Sequence, residues 1–165
     1  MRAIKTDTER EAAVAAWLAD SLNRPGDARQ QWAGGHIALL ALGRHFSAVR
    51  MADELVYAVA VGQGAIATAV LRECLRGPVI HDPHNRRFYA LVPCFPPGPS
   101  LGRYATYLGL GNYIGVPRVG DDEPNSCRTS YWAVPMSAPG ALCDPTRLNA
   151  MIDVGTAALD KQPEA

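Results

Sequence analysis

Lysine is almost absent from this chain: of sixteen basic residues only Lys5 and Lys161 are lysine, and the rest are arginine. Arginine's planar fork suits phosphate and carboxylate, although a GC-rich genome produces the same bias with no function behind it. Net charge is absent too, sixteen acidic residues balancing sixteen basic ones, so no global field draws the protein to nucleic acid or membrane. No run nears the roughly 20 apolar residues of a membrane span. The opening MRAIKTDTEREAA has no apolar core behind its basic start, so it is not expected to act as a secretory signal. Cys74, Cys94, Cys127 and Cys143 form no C-x-x-C pair and have no histidine at ligand spacing. They are expected as reduced thiols in a cytoplasmic protein, with no zinc site and no disulfide framework.

What is present is an ordinary globular composition, 48% hydrophobic and 19% charged over 165 residues, enough for one domain with a real core. We expect a helical segment over residues 1–33, an α+β core over 34–160 and a frayed tail over 161–165. Thr6-Asp7-Thr8-Glu9 is a helix start with Glu close behind the cap. The apolar face that follows runs to Asn23, where Pro25-Gly26 stops it. A short helical turn follows around Ala28–Trp32. His36–Ala41 predicts a buried strand and Phe46–Met51 a second, in which Phe46, Ala48 and Arg50 share one face. Asp53-Glu54 opens a helix with carboxylates at its positive end. Ala65–Arg76 is the next helix, stopped by Gly77-Pro78.

The chain is organised around the stretch from Pro78 to Pro117. Two apolar runs, Phe88–Val92 and Tyr113–Val116, are each closed by a proline, and a Pro/Gly-rich linker joins them. They predict two strands of one sheet with an irregular loop across its mouth. Gly109–Gly111 predicts a turn, Val119–Thr129 a surface loop, and Tyr131–Val134 a last strand. Asp144-Pro145 caps the final helix, with proline at the first helical position. The order of elements predicts an α+β fold, a mostly antiparallel sheet with helices packed on one face.

Chemistry has two candidate locations. His81, Asp82 and His84 could bind a metal or move protons, or could be a turn whose polar side chains satisfy local backbone groups. Arg86 and Arg87, with Arg50 and Arg103, could form an anion site for phosphate. Adjacent strand residues face opposite ways, so at most one of Arg86 and Arg87 is expected to face a given cleft. The glycines of GLGNYIG lack the Lys and Ser/Thr of a P-loop, and no serine lies in a nucleophile-elbow setting. Asp121-Asp122-Glu123 reads as a solvated acidic loop.

Three segments carry a resemblance: RRFYALVP (Arg86–Pro93), GNYIGVP (Gly111–Pro117) and YWAVP (Tyr131–Pro135). They resemble the N-terminal primase-polymerase domain of bifunctional replication proteins, in the archaeo-eukaryotic primase group. The chain also looks like a set of short actinobacterial proteins sharing GRHFSAVR, RGPVIHDP and ALCDP. The resemblance implies a primase-polymerase-like α+β fold. In that family paired metal-binding aspartates lie on an upstream strand, but FSAVRM has none, and Asp53 follows it without a D-x-D partner. The family's histidine falls at Arg86 or Arg87, and its third acidic residue near Thr106. Two-metal phosphoryl transfer needs carboxylates, so the expectation is a scaffold that has lost its chemistry, with no catalytic residues, metal or cofactor. It would act by binding a nucleotide, single-stranded nucleic acid or a protein partner. Arg50, His84, Arg86, Arg87 and Tyr89 are the candidate ligand-binding residues. The alternative is a small metal-dependent or acid/base enzyme using His81, Asp82 and His84.

Overall fold

The structure is a computed structural model and describes residues 6–94 and 100–161. The start of the chain, most of the Pro/Gly loop and the last four residues of the expected frayed tail lie outside the described residues.

Helix α1 (Asp7–Ala19) begins with the expected capping box, Glu9 N–H donating to Thr6 Oγ1 and Thr6 N–H to the Glu9 carboxylate. It ends at Ala19, before the Pro-Gly pair. Pro25 does not stop that helix but opens α2 (Pro25–Gly34), since proline's missing N–H costs nothing in a first turn. Strands β1 (Ile37–Ala41) and β2 (Ser47–Ala52) follow, then α3 (Asp53–Ala60) and α4 (Ala65–Leu75). The later elements are β3 (Val79–Asp82), β4 (Arg87–Val92), β5 (Ala105–Leu108), β6 (Tyr113–Pro117), β7 (Tyr131–Val134) and α5 (Pro145–Asp160). Asp144 caps α5 by accepting from Thr146 and Arg147 N–H.

The fold is α+β with antiparallel pairing throughout, divided between two sheets. Five strands run in the order β5-β2-β4-β3-β7, while β1 and β6 form a separate two-stranded sheet. The expectation that Phe88–Val92 and Tyr113–Val116 share a sheet is therefore corrected: β4 is in the large sheet and β6 in the small one. The turn closed by Asn112 N–H on Gly109 O carries the chain from one sheet to the other.

Strand alternation gives the large sheet two apolar faces. Val49, Met51, Val79, Phe88 and Ala90 pack with Leu55, Leu71, Leu148 and Ile152 of α3, α4 and α5. Ala48, Ile80, Leu91 and Trp132 pack on the other side with α1, α2 and the inner face of the small sheet. Helices thus cover both faces, α3–α5 on one and α1–α2 with the small sheet on the other. Two tryptophans tie the layers: Trp32 Nε1–H donates to Val116 O at 3.0 Å, and Trp132 Nε1–H to Pro117 O at 3.1 Å. No single helix among the described residues is long and apolar enough to cross a membrane, and α3 and α4, apolar together, are bent by 86°.

Candidate functional site

Strand β2 sits inside the large sheet, with Arg50 opposite Tyr89 of β4 on one side and Thr106 of β5 on the other. Two residues on, Ala52 pairs with Arg87. Alternation places Arg50, Arg87 and Thr106 on the face opposite α3–α5. The covering layer of α1, α2 and the small sheet does not reach this end, and a cleft of about 280 Å³ remains. Arg50, Arg86, Arg87 and Arg103 line it, with Glu54, Tyr104 and Thr106. Among the described residues none of the four guanidinium groups is in an ion pair. Arg103 lies over the Tyr104 ring at 5.1 Å.

Arg86 and Arg87 both line the cleft, contrary to the expectation that one at most would. The alternation argument fails because Arg86 is not in the strand: it ends the β3–β4 turn with φ 57°, a left-handed conformation that redirects its side chain. Its carbonyl accepts from Asp53 N–H at 3.1 Å, and Ala52 N–H donates to Tyr104 O at 2.9 Å. The point where β2 becomes α3 therefore holds both segments that carry the remaining arginines. Of the other two candidate residues, His84 is exposed in the turn and lines no part of the cleft. Tyr89, half-buried beside Arg50, packs against the second apolar cluster.

The His81, Asp82 and His84 group does not converge. Asp82 accepts from Asn85 N–H and Nδ2–H, closing its own turn. His81 points to the opposite face, only 7% exposed, stacked on Phe88 with ring centroids 3.9 Å apart. Its partners come from distant segments: Nδ1 lies 2.9 Å from Tyr131 Oη, and Nε2 3.2 Å from Asp53 Oδ1. Tyr57 donates to Asp53 Oδ2 at 3.3 Å. Burial, then the Asp53 charge, pushes the Tyr57 hydroxyl up to about 12 and raises Tyr131 in the same direction. Tyr131–His81–Asp53 has the connectivity of a proton relay, but among the described residues His81 and Tyr131 line neither the arginine cleft nor the three larger cavities. The network ties β3, β7 and the start of α3 together through buried polar contacts. Among the described residues no group of three or more His, Cys, Asp or Glu side chains converges to hold a metal. Cys143, buried and pushed up to about 12 by that burial, is an inert core thiol.

A cavity of about 630 Å³ lies beside β7 between α1 and α4 and mixes Arg72 and Arg76 with Glu11 and Asp122. Burial, then Glu11 and the neighbouring acids, raises the Asp122 carboxyl. Its mixed charge gives no preference for one ligand sign, whereas the smaller cleft is nearly all cationic.

Comparisons with protein-family models, with curated proteins and with solved structures give no match for the chain.

Proposed function

We propose that this chain is a non-catalytic primase-polymerase-like domain that binds the phosphate of a nucleotide or of single-stranded nucleic acid. One observation carries the reading. Arg50, Arg86, Arg87 and Arg103 arrive from separate segments to line one cleft, with no ion pair among the described residues to neutralise them. The resemblance in the sequence supports it further. Strand Ser47–Ala52, where paired aspartates would stand, meets Arg87, one of the two positions at which the histidine falls, and Thr106, near the third acid's, in one register. With arginines gathered where the family's carboxylates are missing, such a site takes phosphate directly instead of through metal ions. Charge-assisted fork contacts of this kind are worth about 1.5–3 kcal/mol each. The balanced net charge works against broad duplex binding, which rests on neutralising many phosphates.

The test is thermal unfolding with nucleotides and short single-stranded oligonucleotides, on the native chain and on Arg50→Ala/Arg87→Ala. A ligand at a hundredfold excess over its dissociation constant adds about 2.7 kcal/mol, or roughly 5–10 °C for a chain of this size. The expected result is that shift in the native chain and its loss in the double variant. A shift of equal size in both would overturn the assignment to this cleft. No shift with any of these ligands would leave a protein partner as the occupant.

A further inference from the structure

We propose a second ligand site, for a short zwitterionic peptide, in the cavity of about 630 Å³ beside β7 between α1 and α4. It shares no residue with the arginine cleft, and the proposal does not rest on that reading.

The six charged side chains of the lining fall into three pairs. Asp7 and Arg10 of α1 neutralise each other at 3.5 Å. Arg72 and Arg76 stand one turn apart at the end of α4, a like-charge spacing that is unfavourable on a helix. Glu11 of α1 and Asp122 of the β6–β7 loop form the third pair. Burial first and Glu11 next raise the Asp122 carboxyl, as neighbouring carboxylates do. Neither arginine meets either carboxylate in an ion pair among the described residues. The cavity therefore holds two like-charge pairs of opposite sign, each without a counter-ion. A ligand of one sign relieves one pair only. A ligand with its anionic end at Arg72 and Arg76 and its cationic end at Glu11 and Asp122 relieves both.

Both ends are held by the backbone. The Glu11 carboxylate lies against the turn at Gly120, 3.6 Å from where a Cβ would stand. Asp122 N–H donates to Gly120 O at 3.0 Å, and Trp132 N–H to Asp121 O at 2.8 Å, which anchors the acidic turn to β7. At the other end Arg76 N–H donates to Arg72 O at 3.2 Å in the left-handed C-cap of α4, and Asp144 N–H holds Leu75 O at 3.4 Å. Between the ends the wall is apolar, with Val14 of α1 facing Trp132, Val134 and Met136. The volume is ordinary for a small-molecule pocket. A free amino acid carries both charges on one carbon, whereas each further residue of extended chain separates them by about 3.3–3.6 Å. A peptide of two apolar residues sets its termini on opposite walls and lays its side chains along the apolar wall between them.

Isothermal titration calorimetry at pH 7 with leucyl-leucine, its N-acetyl derivative, its C-terminal amide and free leucine tests the site. Leucyl-leucine should saturate the native protein, and each of the other three should bind at least about fivefold more weakly, having lost one charged contact or the span. Arg72→Gln/Arg76→Gln should weaken leucyl-leucine by a similar factor and abolish its advantage over the amide, while keeping its advantage over the acetylated form. Glu11→Gln/Asp122→Asn should do the converse. All four side chains are exposed, so both variants keep the core intact. Arg50→Ala/Arg87→Ala should leave leucyl-leucine binding within about twofold. Three results would overturn the proposal: no saturable binding, equal binding of leucyl-leucine and leucine, or a variant of either charged pair that keeps full discrimination at its own end.

Discussion

Replacing His81 by alanine removes the hub of the buried polar network, and its cost can be worked from the contacts. His81 and Asp53 are 9% and 14% exposed at their side chains, with Nε2 3.2 Å from Oδ1. Breaking one side of a buried pair leaves the other uncompensated, which costs about 3–5 kcal/mol where the pair is fully buried. Asp53 keeps the Tyr57 hydroxyl as a donor and some water, so the lower end applies. Tyr131 Oη loses its ring partner at 2.9 Å, which adds about 1 kcal/mol or more, and the parallel stack on Phe88 adds about another. The expected total is about 5 kcal/mol, against a whole-domain stability of about 5–15 kcal/mol. Urea unfolding followed by tryptophan fluorescence measures it, with His81→Ala, Asp53→Ala and the double variant forming a cycle. The double variant should cost less than the sum by about 1–3 kcal/mol, because each single change strands the other member of the pair and the double variant strands neither. A His81→Ala cost below about 1 kcal/mol, or strictly additive costs, would refute the claim that this network holds the fold.

Other expectations follow from single positions. At Gly77 an added Cβ would land on the backbone of Leu142 and Cys143, where Cys143 N–H is fixed to Leu91 O. Gly77→Ala should therefore destabilise by about 2–3 kcal/mol through overpacking, and a thermal midpoint unchanged within a degree or so would count against this packing. Tyr107→Phe removes the hydroxyl that donates to the fully buried Ser47 Oγ at 3.0 Å, and should cost about 1–2 kcal/mol by urea unfolding; no cost would mean that Ser47 has another partner. The folded chain holds the Tyr57 proton more tightly than the unfolded chain, with the hydroxyl raised from 10.0 to about 12. Stability is then intact below pH 10 and falls as pH rises from there towards 12. Tyr57→Phe should lose stability less steeply across that window, and identical slopes of denaturation midpoint against pH would refute the assignment.

Local features of the chain were legible because local physics sets them. The capping box at Thr6 and Glu9, the Asp144-Pro145 start of α5 and the carboxylates opening α3 each act within one turn of helix. Sheet membership was not legible. Strands β4 and β6 carry the same signature, a short apolar run closed by proline, and only long-range pairing separates them: β4 with β2 and β3, β6 with β1. Pro25-Gly26 is ambiguous for a related reason, since the same pair that cannot continue one helix can begin the next. The arginine cleft was half legible. Strand alternation correctly put Arg50 on the face of Phe46 and Ala48, but it misjudged Arg86, whose left-handed φ no sequence rule for non-glycine residues would favour. His81 was visible as a polar residue; its partners, Asp53 and Tyr131, lie 28 and 50 positions away, and no spacing in the chain points to them.

The buried network and the cleft meet at Asp53, which gives the binding proposal a sharper test than removing arginines. Asp53 turns its carboxylate inward to His81 and Tyr57, while its backbone N–H holds Arg86 O on the other side. Next to it, Ala52 N–H holds Tyr104 O, so the first residues of α3 fix the spacing of Arg86 and Arg87 relative to Arg103. His81 touches none of the lining, yet fixing that carboxylate fixes the helix start, and a site displaced by an ångström loses much of its affinity. Asp53→Asn preserves the shape and the N–H while weakening the grip on His81, and it should stay folded at 25 °C. If the cleft is a positioned phosphate site, this variant should bind nucleotide about three- to tenfold more weakly, a loss of roughly 0.7–1.4 kcal/mol, with every arginine still in place. If affinity is unchanged while stability falls, the arginines attract phosphate only as loose surface charge; binding should then fall with added salt as for any exposed pair, and the cleft would have no built geometry.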